Sequence, residues 1–80
     1  MKQAIYSDVP PVIGAARYYA GIDHEKGNKP CVCMEVPPDE KTKEFYYYVL
    51  SHHKTVELAK QAATRWQIRE NKSVLKNHKL

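Results

Sequence analysis

The clearest pattern in the chain is the strict alternation of Cys31-Val32-Cys33-Met34-Glu35-Val36. In an extended strand this puts Val32, Met34 and Val36 on one face and Cys31, Cys33 and Glu35 on the other. Arg17-Tyr18-Tyr19-Ala20-Gly21-Ile22 reads as a second strand, and Phe45-Tyr46-Tyr47-Tyr48-Val49-Leu50, rich in aromatic and β-branched residues, as a third. Between the first two in chain order, residues 23–29 form a polar, glycine-containing hairpin loop. Pro37-Pro38 ends the alternating strand, and residues 39–44, with Asp39 and Glu40, make a charged connection. Upstream, Ser7-Asp8-Val9-Pro10-Pro11 interrupts regular structure, and residues 12–20 leave helix and strand both open.

From Thr55 the period changes from two to between three and four. Val56, Ala59, Ala63 and Trp66 fall on one helical face, with Thr55 placed to cap the first turn and Glu57 favourably sited near the helix start. The alanines predict a close approach to a sheet, and Trp66 is the expected buried anchor. The predicted helix runs over residues 55–71, followed by a basic tail over 72–80 that frays through Lys79. Three neighbouring strands with short links imply an antiparallel meander. The expected fold is therefore α+β: a three-stranded antiparallel sheet packed against one long C-terminal helix, with residues 1–16 leaving room for one short extra strand or helix.

Size narrows the chemistry. Eighty residues make one domain, spanning 1–80, and a domain this small buries roughly 60% of its unfolded surface. A deep catalytic cavity would remove core volume that the fold needs, so the expectation is a binding protein without cofactor and not an enzyme. No glycine-rich oxyanion turn or phosphate loop accompanies the cysteines and histidines, and His24 sits in the polar loop between Asp23 and Glu25. Cys31, Cys33, His52 and His53 have zinc-ligand chemistry, but their spacing is poor: two sulfurs share one strand face and adjacent histidines diverge. A disulfide between residues two apart on one strand would be strained.

Charge gives the functional direction. Residues 1–40 carry four Lys/Arg against six Asp/Glu, and residues 41–80 carry nine against three, so the C-terminal half supplies the whole positive excess. Arg65, Arg69, Lys72, Lys76 and Lys79 step by four, three, four and three and would share one helix face. Such a row can follow a phosphate backbone; it also fits an ordinary solvated face. The six tyrosines exceed what a thin core covers, and Tyr46-Tyr47-Tyr48 must divide between the two sheet faces. Arg17, Tyr19 and Tyr47 are the candidate binding residues on the sheet. With no apolar run long enough to span a bilayer, no signal-like N-terminus and only two cysteines, the expected setting is the cytoplasm, and the chain reads as a complete small protein.

Tyr18-Tyr19-Ala20-Gly21-Ile22 resembles the aromatic-x-Ala-x-Ile strand of the AP2-type DNA-binding domain. Thr55-Val56-Glu57-Leu58-Ala59-Lys60-Gln61-Ala62 resembles the Thr-x-Glu-x-Ala-x-x-Ala entry to that family's helix. Similar modules form the arm-binding ends of phage-type tyrosine integrases. The resemblance covers residues 17–66 and implies a sheet that enters the major groove. Charge, in contrast, places the polyanion contact on the helix, because the sheet region carries Asp23, Glu25 and Glu35. The expected function is nucleic-acid binding, or an accessory role in a nucleic-acid complex, through the basic helix. The alternative is a phage- or mobile-element-type inhibitor or adaptor whose positive charge meets an acidic protein surface.

Overall fold

Turn chemistry sets the register of the sheet. The computed structural model describes residues 4–36, 38, 41, 43, 44 and 46–77. Lys79, Phe45, Pro37 and the Asp39-Glu40 part of the charged connection lie outside the described residues. Arg17–Asp23 (β1) and Lys29–Val36 (β2) pair antiparallel, with Tyr19 opposite Cys33 and Ala20 opposite Val32. At the end of β1 the Asp23 carboxylate accepts the Glu25 amide at 3.1 Å and starts one 3-10 turn over His24–Lys26. Gly27 (φ 75°) and Asn28 (φ 61°) then reverse the chain in the left-handed region, which glycine enters freely and asparagine tolerates.

Tyr46–His52 (β3) returns antiparallel beside β2, with Tyr48 opposite Met34 and His52 opposite Cys31; the register shifts at Val32/Cys33. A fourth, two-residue strand, Ile5–Tyr6 (β4), lies on the other side of β1. The expected three-stranded sheet thus has four strands, and the fourth comes from the N-terminal segment. All neighbours are antiparallel.

One helix, Val56–Asn77 (α1), lies across the sheet. Thr55 caps it: its hydroxyl accepts the Leu58 amide at 3.1 Å. The expected end at residue 71 is too early. Residues 72–77 contain no glycine or proline, and Val74 is half-buried, so the helix continues to Asn77, into the segment expected as a basic tail. Lys76 in the last turn suits the negative end of the helix dipole.

The core is small-residue packing. Tyr18, Ala20 and Val32 of the sheet meet Ala59, Ala62 and Ala63 of α1, with Met34 and Ala16 at the margin. Trp66 departs from its expected place, with 37% of its surface exposed, while Gln67 beside it is fully buried. Val56 is half-buried. The reason is polar. Residues 8–16 contain two prolines and a glycine at φ 90°, form no strand, and leave backbone groups that need partners. Gln67 Oε1 accepts the Tyr18 amide at 2.9 Å, and its Nε2 donates to the Ala16 carbonyl at 2.8 Å and to Asn71 Oδ1 at 3.1 Å. Asn71 Oδ1 in turn accepts the Val12 amide, and its Nδ2 donates to the Pro10 carbonyl. Glu70 accepts the Ala16 amide and Thr64 that of Asp8. This ladder rolls α1 until Gln67 and Asn71 are buried, and the roll lifts Trp66 to the shoulder of the helix.

Candidate functional site

Arg65, Arg69, Lys72 and Lys76 are all exposed, as three- and four-residue spacing on a single helix requires. Their row lies opposite the buried Ala63–Gln67 side of α1. Among the described residues none of the four is in an ion pair; the two pairs present are Lys60 with Asp8 at 3.0 Å and His52 with Asp23 at 2.8 Å. Their charge is therefore available to a partner.

Beside this row runs a cleft. The helix crosses β1 and β2 and touches β4, leaving β3 almost uncovered. Five consecutive β3 residues, Tyr46 to Leu50, have exposures of 37–55%. Ser51, His53, Ala62, Arg65, Trp66 and Arg69 enclose a cleft of about 280 Å³ between α1 and β3. Tyr18 stacks on the indole (centroids 5.8 Å apart, planes at 10°), and the Arg69 guanidinium lies over the ring at 5.5 Å. The Ser51 hydroxyl and His53 Nε2 are 2.8 Å apart. By register, Tyr48 and Tyr46 occupy the helix-side face of β3, across from Met34 and Val36.

The opposite face of the sheet carries a different set of groups. Arg17, Tyr19 and Tyr47 lie there, so the sheet separates these three candidates from the helix row; the eight expected residues do not form one site, and Lys79 lies outside the described residues. The Arg17 guanidinium sits 5.1 Å from the Tyr6 ring centroid, and Tyr6 meets Tyr19 edge-on at 5.7 Å. A shallow cavity of about 410 Å³ is bounded by Tyr19, Tyr47, Val49, Cys31, Cys33 and Asp23, among others. Burial pushes the Tyr19 phenol up to about 12. Burial, with the hydrogen bond to Cys33, does the same to the Cys31 thiol, 3.7 Å from the Cys33 sulfur. That thiol stays protonated at neutral pH, the opposite of an activated nucleophile. The His52 hydrogen bond holds the Asp23 carboxyl below its ordinary value. His52 faces this side and His53 the cleft, so the adjacent histidines diverge. Among the described residues no group of three or more His, Cys, Asp or Glu side chains is arranged to hold a metal ion.

Sequence reasoning found the basic row and missed the cleft beside it. Trp66 is expected as a buried anchor, Tyr48 as a strand residue on one sheet face and His53 as a poorly spaced zinc-type ligand, and none of the three as part of one site. The available signal was the parity of Tyr46-Tyr47-Tyr48, which sends two tyrosines to the helix side, where one helix cannot cover four strands. Comparison with protein-family models, curated proteins and solved structures gives no match. No helix among the described residues is long and apolar enough to cross a membrane.

Proposed function

We propose that this chain is a small non-enzymatic protein of the cytoplasm that binds nucleic acid, alone or as part of a larger nucleic-acid complex, through the exposed face of α1. The observation that carries this reading is the row Arg65, Arg69, Lys72 and Lys76: four exposed cations on one helix face, none in an ion pair among the described residues, bordered by a part-exposed indole. Lone surface cations serve solubility; a continuous row beside aromatic rings has the composition of a phosphate-tracking surface. Two buried free thiols suit a reducing compartment. Docking by the sheet, as in the AP2-type module, has less support, because the open face presents Asp23, Glu35 and partly buried tyrosines in place of a basic surface.

The test is a salt titration of binding to duplex DNA, duplex RNA and single strands. If the four cations each meet a phosphate, log K against log salt falls with a slope of roughly 0.9 per phosphate on duplex DNA. Replacing Arg65 and Arg69 together by Gln makes that slope shallower by about two and weakens binding to all sequences alike. Absence of binding at low salt to every nucleic acid tried removes this reading.

The second reading, an inhibitor or adaptor for an acidic protein surface, is favoured by β3. Among the described residues it is an edge strand of the sheet, and its exposed Tyr-Tyr-Tyr-Val-Leu run carries none of the lysines that usually blunt such edges. Retention of one stoichiometric protein from nuclease-treated cell extract, together with no affinity for bare nucleic acid, supports it.

A further inference from the structure

We propose that the cleft between α1 and β3 seats single-stranded nucleic acid, with a base against Trp66 and its adjoining phosphates on Arg65 and Arg69. This rests on the nucleic-acid reading and adds strandedness and the manner of contact. The two halves of the ligand match two kinds of group in the cleft. Phosphates need guanidinium groups, and those of Arg65 and Arg69 are in no ion pair among the described residues; an unpaired base needs a flat apolar surface.

Trp66 supplies that surface in a prepared state. The residue is 37% exposed, and Tyr18 stacks on its ring at 5.8 Å, which fixes the plane of the ring before any ligand arrives. A pre-oriented platform loses little side-chain freedom on binding. Arg69 lies over the indole at 5.5 Å, so a base that seats on Trp66 takes the place of its guanidinium, which then turns its N–H groups to the adjoining phosphate. The Ser51 hydroxyl and the His53 ring nitrogen stand in the same cleft and can donate to or accept from the edge of a base. Farther along, Tyr48 and Tyr46 are exposed on the same face of β3. Alternate residues of a strand are roughly 6.6 Å apart, a span that one extended nucleotide covers.

Strandedness follows from where the aromatic ring lies. In a duplex the base faces are stacked on one another and only backbone and groove edges are presented. Such a ligand can use the basic row on the crest of α1, but it has nothing to offer an indole at the side of the helix, in a cleft of about 280 Å³. A single strand can turn one base into it.

The chain contains one tryptophan among six tyrosines, so emission excited at the red edge, where tyrosine does not absorb, reports on Trp66 alone. The full chain is titrated with short oligothymidylate, oligouridylate, a duplex of equal length, inorganic polyphosphate and polyglutamate. Both single strands are expected to quench Trp66 emission saturably, and the duplex and polyphosphate to bind with little quenching. Trp66→Phe, followed by anisotropy of an end-labelled single strand with polyphosphate as competitor because the variant has no tryptophan, should lower affinity for the single strands about tenfold and leave that for polyphosphate unchanged. Tyr48→Ser, at an exposed position, gives a second variant that does not depend on the helix shoulder, with a loss of about threefold for single strands only. Equal affinity for single strands and duplex, with no quenching by either, overturns the cleft proposal and leaves polyanion binding intact. Failure of all nucleic acids and polyphosphate to bind overturns both. Binding of polyglutamate with no nucleic-acid affinity overturns both in favour of recognition of an acidic protein surface by the same cations.

Discussion

The two flanks of α1 are built from different materials. On one, Thr64, Gln67, Glu70 and Asn71 hold the backbone of residues 8–18 through side-chain hydrogen bonds, two of these residues being buried. On the other, Arg65, Trp66 and Arg69 border a cleft whose far wall, β3, is largely exposed. The first flank is closed by satisfied polar groups; the second has a large aromatic ring that folding buried only in part. A helix that must supply backbone partners to an irregular segment cannot also centre its most hydrophobic side chain on the sheet. The polar flank is tied down by buried hydrogen bonds, and the aromatic one leaves an indole and two guanidinium groups facing solvent.

The strongest way to break that contrast is at Gln67. It is fully buried and answers both the Tyr18 amide and the Ala16 carbonyl. Gln67→Ala strands two backbone groups away from water and opens a void, so it should cost about 3 kcal/mol or more in urea unfolding. Gln67→Leu keeps the volume and still orphans the two groups; a loss of about 2 kcal/mol is expected. If the leucine variant is as stable as the parent, the polar ladder is not what holds this flank.

Trp66 comes next, and its rank is the sharper test. A fully buried tryptophan replaced by alanine costs roughly 3–5 kcal/mol, but with over a third of its surface in water and no cavity sealed behind it, Trp66→Ala should cost only about 2 kcal/mol. A glutamine should thus outrank the only tryptophan in the chain. Thermal melts of the two alanine variants side by side decide the order. The reverse ranking would mean that the apolar face of α1 is centred on Trp66 after all.

That inversion also marks where the sequence stopped being legible. The strands could be read because alternation and turn residues act locally: Val32 and Met34 declare one face and Asp23, Gly27 and Asn28 the reversal. The start of α1 was equally local, in Thr55. The roll of α1 was not. Gln67 and Asn71 read as solvent-facing on any helix, and only the missing hydrogen-bond partners of a distant, proline-rich segment bring them inside. The basic row could be found because spacing alone defines it. The cleft needed two tertiary facts, the roll of α1 and its failure to reach β3, and neither is written in any local pattern.

Asn71 sharpens the same flank at lower cost. It is a little more exposed than Gln67 and serves the looser segment of residues 10–12. Asn71→Ala should lose about 1–2 kcal/mol. Its effect should not add to that of Gln67→Ala, because Gln67 Nε2 also donates to Asn71 Oδ1. A double-mutant cycle with additive losses would show the two residues acting as independent caps.

The smallest expected effect lies on the open flank and has the opposite sign. Arg65 is exposed, makes no ion pair among the described residues, and has Arg69 one helical turn away. Like charges at that spacing destabilise a helix by about 0.2–0.5 kcal/mol, and Gln matches Arg closely in helix propensity. Arg65→Gln should therefore leave the fold equally stable or raise its stability by a few tenths of a kcal/mol at low salt. The gain should vanish near 1 M salt, where charges are screened beyond about 3 Å. Urea unfolding at the two salt concentrations measures it. A clear loss of stability at both would mean that Arg65 holds the cleft wall and belongs to the structure. A salt-sensitive gain, paired with weaker nucleic-acid binding, would mean that the row costs the fold stability and is kept for its partner.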